Sequence, residues 1–428
     1  MAHGSQVLGS PPPGVSFGPD ITDAVRALGD GPLTEDALRR HIHPLFTRVL
    51  RRDEIYLSNH SLGRPLDRTA DDVRHALDLW YERLDGAWPH WIEASGRYRA
   101  MLAALIGCSR PDAVVPRVSA GQGLRASINA LPTHRPRIVT TRGEFDSVDF
   151  ILKTYQRKGR ADVRWVAPDQ RGLFVPDAII DAIDSDTDLV VVSVVYFVTG
   201  QVLDGLDRII ARAHEAGALI LLDAYHAAGA IPMQFDRLGP DFAIGGNYKY
   251  TRGGPGAGWL AVHPRHLEQG PLPALFSTDT GWFAKRDTFD FRRPDQPELS
   301  PGGDAWLEAT PAVLTCFQAL AGLELTLALG VERLRGYSLE QQAFLEDELA
   351  GAGVPVLDVE PHGAFLLVPS PQHADMTRRL HEAGVNTDSR PAPHDPSSGY
   401  VRLCPDILNT RDELRRAATI IGRVYGQL

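Results

Sequence analysis

The sequence predicts an α/β protein: a large, mainly parallel sheet covered by helices, followed by a smaller α+β domain. Three observations carry this expectation. From Arg137 onward the short apolar runs RIVTT, VRWVA, LVVVSVV, ALILLD and AGWLAV alternate with helical stretches. Two of these runs are almost continuously apolar, the mark of strands covered on both faces. The last part of the chain then alternates VPVLDVE, AFLLVPS and YVRLC with the helical segments TRRLHEAG and RDELRRAATIIGRV. A length of 428 residues fits such a plan at roughly 150 residues per domain.

In chain order, residues 1–20 are rich in Gly, Pro and Ser and are expected to form a flexible arm. Residues 21–70 follow as a segment packing on the small domain, then 71–315 as the large domain and 316–428 as the small one. Two helical patterns lie between Ala70 and Gly107, one through Val73, Leu77, Trp80 and Leu84, the other through Tyr98, Met101, Leu102 and Leu105. Pro89 separates them. The clearest unit is LVVVSVV, the amphipathic LDRIIARAHEAG and ALILLD, a crossover between parallel strands with Gly217 as the helix C-cap. Asp223 closes its second strand, at the edge where open α/β sheets bind ligands. A long helical stretch from about Trp306 to Ala350, broken near Gly330 and Gly336, leads into the carboxyl-terminal domain.

Composition narrows the partners. Lys and Arg total 44 against 54 Asp and Glu, a net charge of −10 with a pI near 5.8, which disfavours a nucleic-acid-binding face. With 43% hydrophobic and 23% charged residues the chain is not disordered. Cys108, Cys316 and Cys404 have no CxxC or metal-finger spacing and read as buried thiols of a reducing compartment, with no metal site expected. The longest near-continuous apolar stretch, 189–198, is 10 residues, half of the roughly 20 that span a bilayer. No secretion signal is visible. The expectation is a cytoplasmic protein with a small-molecule substrate and neither nucleic acid nor membrane as a partner.

The window LLDAYHAAG to NYKYTRGGPGAG carries the chemistry. Lys249 is flanked by Gly245, Gly246, Gly253, Gly254 and Gly256, and glycine-rich turns let a backbone approach a ligand closely. Taken alone, Lys249 would be an exposed loop lysine and Asp223 a helix cap. Together they suit pyridoxal 5′-phosphate (PLP) chemistry, in which a lysine amine bonds the cofactor and a carboxylate pairs with its pyridinium nitrogen. His226 follows the acid by three residues, where it would lie beside it or reach the ring from the following turn. A phosphate-loop reading of GGPGAG is disfavoured, because the run precedes a strand rather than opening a helix.

Six windows in order, YLSNHSLGRPL (56–66), SVVYFVTGQ (193–201), DAYHAAG (223–229), NYKYTRGGPG (247–256), TGWF (280–283) and LSPGGDAWLEATP (299–311), resemble the kynureninase branch of the fold-type-I, class V aminotransferase-like PLP enzymes. The resemblance implies a homodimer with shared active sites, each subunit having a large cofactor domain and a smaller α+β domain. Lys249 then takes the place of the Schiff-base lysine and proton carrier, Asp223 of the pyridinium partner, and Phe145 of the residue stacked on the ring. His226 and Ser193 contact the cofactor or its acid partner. Tyr248 resembles the phosphate-binding tyrosine and is, with His226, a candidate acid for the leaving atom. Ala120, Gly121 and Gln122 fit a phosphate at a helix N-terminus, and Trp282 and Thr310 the residues given to the neighbouring subunit's site. Arg402, in YVRLCPDILN, resembles the arginine that forks onto the substrate carboxylate, while Asn59 and His60 match positions lining the substrate pocket.

The departures from the family fall on substrate residues. Thr310 stands where kynureninases carry an asparagine, Phe145-Asp146-Ser147-Val148 replaces FPSD, and Trp282-Phe283-Ala284-Lys285 replaces WFGH. This pattern implies a kynureninase scaffold acting on another β-substituted L-amino acid. Cα deprotonation would be followed by cleavage at or beyond Cβ, as kynureninase-like hydrolysis or as C–S elimination from a cysteine S-conjugate in natural-product biosynthesis. A class V aminotransferase, a decarboxylating deaminase or an epimerase uses the same cofactor logic. From another class, a PLP-fold protein that only binds would keep the fold without the chemistry.

Overall fold

The alternation of apolar runs and helices closes into a seven-stranded sheet in a computed structural model, which describes residues 11–267 and 275–428. The first ten residues of the expected arm lie outside the described residues. After the helix Pro19–Leu28 and the short strand β1 (Ile55–Tyr56), the sheet takes β2 (Val114–Arg117), β3 (Arg137–Thr141), β4 (Asp162–Val166), β5 (Leu189–Ser193), β6 (Leu219–Asp223), β7 (Phe242–Gly246) and β8 (Gly258–Val262). Their spatial order is β2-β8-β7-β6-β5-β3-β4. The five strands from β7 through β4 run parallel, and β8 is antiparallel to both β7 and β2. A parallel return would need a crossover of a dozen or more residues. The direct loop from β7 to β8 reverses the chain instead, and so leaves the NYKYTRGGPG segment at the carboxyl edge of the sheet, beside the end of β6.

Apolar burial on both faces holds this sheet. Val190, Val191, Val192, Ile220, Leu221, Phe242, Ala243 and Ile244 are fully buried, and burying one such Val, Leu or Ile side chain contributes about 1.5–3 kcal/mol. The crossover helix Leu206–Glu215 closes the β5–β6 connection with Ile209, Ile210 and Ala213, and Gly217 turns the chain at φ 80°.

The carboxyl-terminal unit contains β9 (Leu366–Pro369), β10 (Val385–Asn386), β11 (Asp388–Pro391) and β12 (Gly399–Leu403). β11, β12 and β9 form an antiparallel sheet, and β10 pairs in parallel with β1. Segment 21–70 packs on the carboxyl-terminal unit and also reaches the large one, where the Gly63 N–H donates to the Tyr248 carbonyl. Ile55 and Leu57 pack with Leu345, Val385 and Val401, while Ile21, Leu38 and Phe46 pack with Leu325, Leu329 and Ile407.

Four local expectations are corrected. VPVLDVE is not a strand: Pro355 lacks an N–H for a ladder, and the segment reaches β9 by the Leu357 N–H to Leu367 carbonyl bond. Pro89 lies in the first turn of the helix Trp88–Ile106, where its missing N–H costs nothing. In the preceding helix, Arg68–Arg83, the face packed against helix Val313–Leu329 is Ala76 and Leu79, while Trp80 and, just past the helix end, Leu84 stay exposed. The long stretch starts at Val313, because residues Gly302–Trp306 form a 3-10 turn, and it breaks at Gly330 (φ 82°) but continues through Gly336 to Gly351. Part of the arm is also fixed: Val15 is buried, and the Gly18 N–H donates to Glu324, which pairs with Arg68 and Arg97. Among the described residues no single helix is long and apolar enough to cross a membrane.

Candidate active site

β6 ends on Asp223, whose Oδ1 accepts the Tyr225 N–H at 2.9 Å. The side chain is 4% exposed, and burial pushes its carboxyl up despite the Tyr225 N–H and the charge of Lys249. Lys249, on the loop after β7, is 5% exposed. Its Nζ lies 2.5 Å from His226 Nε2, and His226 Nδ1 lies 3.1 Å from Tyr250 Oη. The rings of Tyr225, Phe145 and Tyr248 surround the amine at 5.0, 5.6 and 5.7 Å. Burial lowers the proton affinity of Lys249, with Asp223 opposing. His226 stays neutral for the same reason, reinforced by Lys249 and Arg402. This is a buried amine prepared to exchange a proton near neutrality.

The SLG turn of the first sequence window braces that lysine. Gly63 donates its N–H to the Tyr248 carbonyl at 2.7 Å, and a Cβ at Gly63 would stand 1.9 Å from the Lys249 carbonyl oxygen. Only glycine fits so close to another backbone.

A second wall comes from the small sheet. The antiparallel register sets Asp388 opposite Arg402, and Arg402 donates to both carboxylate oxygens, Nε to Oδ1 at 2.8 Å and Nη2 to Oδ2 at 2.5 Å. Its Nη1 donates to the Phe197 carbonyl, and its guanidinium lies over the Phe365 ring. His60 Nε2 reaches Asp388 Oδ1 at 2.7 Å. Burial would raise the Asp388 carboxyl, but hydrogen bonds and charge from His60 and Arg402 hold it well below the usual range. Burial, then Arg402, pulls His60 down to about 4. Arg402 is thus pre-oriented by a bidentate partner while retaining unused N–H groups.

The structure brings Lys249, Asp223, His226, Tyr248 and Phe145 into one constellation. Phe145 opens the helix Asp146–Arg157, and Tyr248 packs on Tyr225 with ring centroids 5.0 Å apart. Asn59 lines the same small cavity as Lys249 and donates to the Cys404 carbonyl at 2.8 Å. Ser193 stands beside Asp223 in the β5–β6 register, but its Oγ bonds Glu144 at 2.6 Å. Ala120, Gly121 and Gln122 open the helix Ala120–Ile128, where Ser119 accepts the Gln122 N–H and the Gln122 side chain accepts from Val118. Trp282 and Thr310 are not brought to Lys249. They bond each other at 3.2 Å within an aromatic cluster that includes Trp88, Phe283 and Phe289.

Sequence reasoning missed Asp388, Glu144, Tyr225, Tyr250 and Phe365. Tyr225 and Tyr250 lay inside the windows already singled out, so closer attention to residues flanking Asp223 and Lys249 would have found them. Asp388 had no local signal, since only strand pairing sets it against Arg402.

Comparison with known proteins gives the family and the shared fold. The Aminotransferase class-V family model matches residues 90–360. A kynureninase from Geobacillus thermodenitrificans is 32% identical over 402 residues, covering 89% of each chain, and one from Pseudomonas fluorescens is 30% identical, covering 86% of this chain and 89% of its own. Among solved structures, a C-DES variant with glycine covalently linked to the PLP cofactor superposes with a TM-score of 0.78 at 19% identity, covering 89% of this chain and 98% of its own. A cysteine desulfurase from Thermococcus onnurineus NA1 gives 0.76 at 18%, covering 93% and 100%. The fold is therefore shared with those enzymes, and with matches of this extent the chain belongs to the class-V aminotransferase family, in its kynureninase-like branch.

Proposed function

We propose that this chain is a PLP-dependent enzyme that removes the Cα proton of a β-substituted L-amino acid and cleaves a bond at or beyond Cβ. The observation that carries this reading is the buried Lys249 amine, hydrogen-bonded to His226 and within electrostatic reach of Asp223 and Arg402. The kynureninase relatives and the class-V family match support it.

The residues present fit PLP. Asp223 is a buried carboxyl at a strand end, suited to a pyridinium nitrogen, with the Phe145 ring available for the cofactor face and Lys249 for its aldehyde. Gly121, Gln122 and Tyr248 would hold the phosphate, and Ser193 and His226 would contact the ring or its acid partner. When bound, the cofactor supplies an electron sink for the substrate Cα. Lys249 Nζ takes the Cα proton, and burial favours its neutral, basic form. The hydrogen-bonded line Lys249–His226–Tyr250 can move that proton away from Nζ. Arg402 binds the α-carboxylate and so fixes which Cα bond faces the amine. Asn59 and His60 border the substrate side, and Tyr248 or His226 protonates the leaving atom.

We also infer a homodimer in which Trp282 and Thr310 of one copy complete the other's site, because these two residues pair away from Lys249. Sedimentation of the cofactor-loaded protein is expected to give a dimer; a monomer that still turns over would refute this. We further propose a cytoplasmic location and a role in natural-product biosynthesis.

The deciding experiment supplies PLP, records a borohydride-reducible visible band, and then adds kynurenine and S-substituted cysteines separately. Alanine plus an aromatic acid identifies hydrolysis, and pyruvate plus a thiol identifies C–S elimination. A protein that forms no reducible band overturns the reading.

A further inference from the structure

Glu144 occupies the turn between β3 and the helix Asp146–Arg157, immediately before Phe145. It is 3% exposed. Its Oε1 lies 2.7 Å from Thr141 Oγ1 and 3.4 Å from the Ser193 N–H, and its Oε2 lies 2.6 Å from Ser193 Oγ. Ser193 in turn stands beside Asp223 across the β5–β6 pair. The titratable groups facing Glu144 are Asp223 from β6 and Tyr196 from the segment after β5. Among the described residues, its hydrogen bonds are to hydroxyl and backbone groups, and no Lys, Arg or His pairs with it. An ionised carboxylate buried without a cation and beside a second carboxyl is strongly disfavoured.

We propose that Glu144 is a positioning residue that works as a neutral acid: its O–H donates to Ser193 Oγ, leaving the Ser193 hydroxyl hydrogen free to point into the Asp223 edge of the site. The inference goes beyond the proposed reaction, and only its spectral consequence rests on the PLP reading. The hydrogen-bond count explains the device. A hydroxyl has one hydrogen to donate and two lone pairs. While Glu144 keeps its proton, Ser193 accepts from it and can donate toward the site. Ionisation breaks the Oε2–H bond, leaves the electron pair on Oε2 and releases the proton to water. Ser193 must then donate to Glu144, and the site loses a donor while gaining a negative charge next to Asp223. The same carboxyl anchors the turn that presents Phe145, so both changes reach the groups around Lys249. Burial pushes the Glu144 carboxyl up to about 8, against the Ser193 and Thr141 hydrogen bonds and with Asp223 adding to the rise.

The test compares full-length wild type, Glu144→Gln and Ser193→Ala, first without cofactor. An acid whose folded value is raised loses stability as pH climbs from its unfolded value to its folded one. The thermal midpoint of Glu144→Gln, relative to wild type, is therefore expected to rise with pH from 4.5 and level off at about 8. A difference that stays flat with pH overturns the proposal. In the PLP-loaded protein, the alkaline transition of the visible spectrum should shift in Glu144→Gln relative to wild type; an unshifted transition also overturns the proposal. Should Glu144→Gln fail to fold, Ser193→Ala decides, because losing this partner of the anion must move the cofactor-free transition upward, and an unmoved transition counts against the assignment. A protein that takes up no PLP refutes the proposed reaction, while the cofactor-free titration still judges Glu144.

Discussion

Lys249→Ala is expected to lower turnover by at least about 10³-fold, since it removes both the covalent attachment point and the base that takes the Cα proton, and positioned proton transfer alone contributes about 10²–10⁴-fold. The borohydride-reducible visible band should vanish with it. The fold should survive. The Nζ is a buried group whose hydrogen-bond partner is one neutral histidine, and removing a buried, desolvated amine also removes its burial penalty. Stability against heat or denaturant should therefore change little, the lost attraction to Asp223 offsetting the relieved burial of the amine. Residual turnover within tenfold of wild type would show that another group moves the proton, with His226 the nearest candidate.

Asp388→Ala should produce the largest loss of stability. It strips Arg402 and His60 of a common partner in a place where Arg402 is 2% and His60 0% exposed. Removing one member of a buried ion pair leaves an uncompensated charge and costs about 3–5 kcal/mol. Denaturant titration measures this directly, and a loss below about 1 kcal/mol, the level of an exposed pair, would contradict it. The pH dependence has a definite sign. The Asp388 carboxyl is depressed in the fold, so its contribution is fully present above the ordinary value of 3.8 and is lost as pH falls below it. His60 is also depressed, from 6.5 to about 4. The unfolded chain binds that proton first, so stability already declines as pH drops from 6.5 toward 4. Substrate affinity should fall alongside stability, because Arg402 loses the fork that orients it. Asp388→Asn, which keeps the shape and one acceptor, should retain more of both.

Much of the site was legible because its chemistry is local in sequence. The apolar runs that became β5 and β6 gave away their burial, and Asp223 closed the second of them at the edge that binds ligands. The glycines around Lys249 marked a tightly packed loop, and a Cβ at Gly246 would stand 2.0 Å from the Tyr225 hydroxyl. The helical segment RDELRRAATIIGRV formed as the last helix, begun by a capping box of Thr410 and Glu413. Helix faces were read less well. Trp80 and Leu84 satisfied the periodicity yet remained exposed, since spacing states that a stripe exists and the neighbouring helix decides which stripe is covered.

The sequence by itself determined the α/β plan, the position of Lys249 and Asp223, and the family to which their windows belong. Only the tertiary structure decided how the charges are partnered. Asp388 meets Arg402 through the β11–β12 register, and His60 joins them from residues far upstream. The physical reason is that apolar periodicity and turn chemistry act over a few residues, whereas a buried charge selects its partner by distance in space after the strands have paired. No spacing along the chain records that choice.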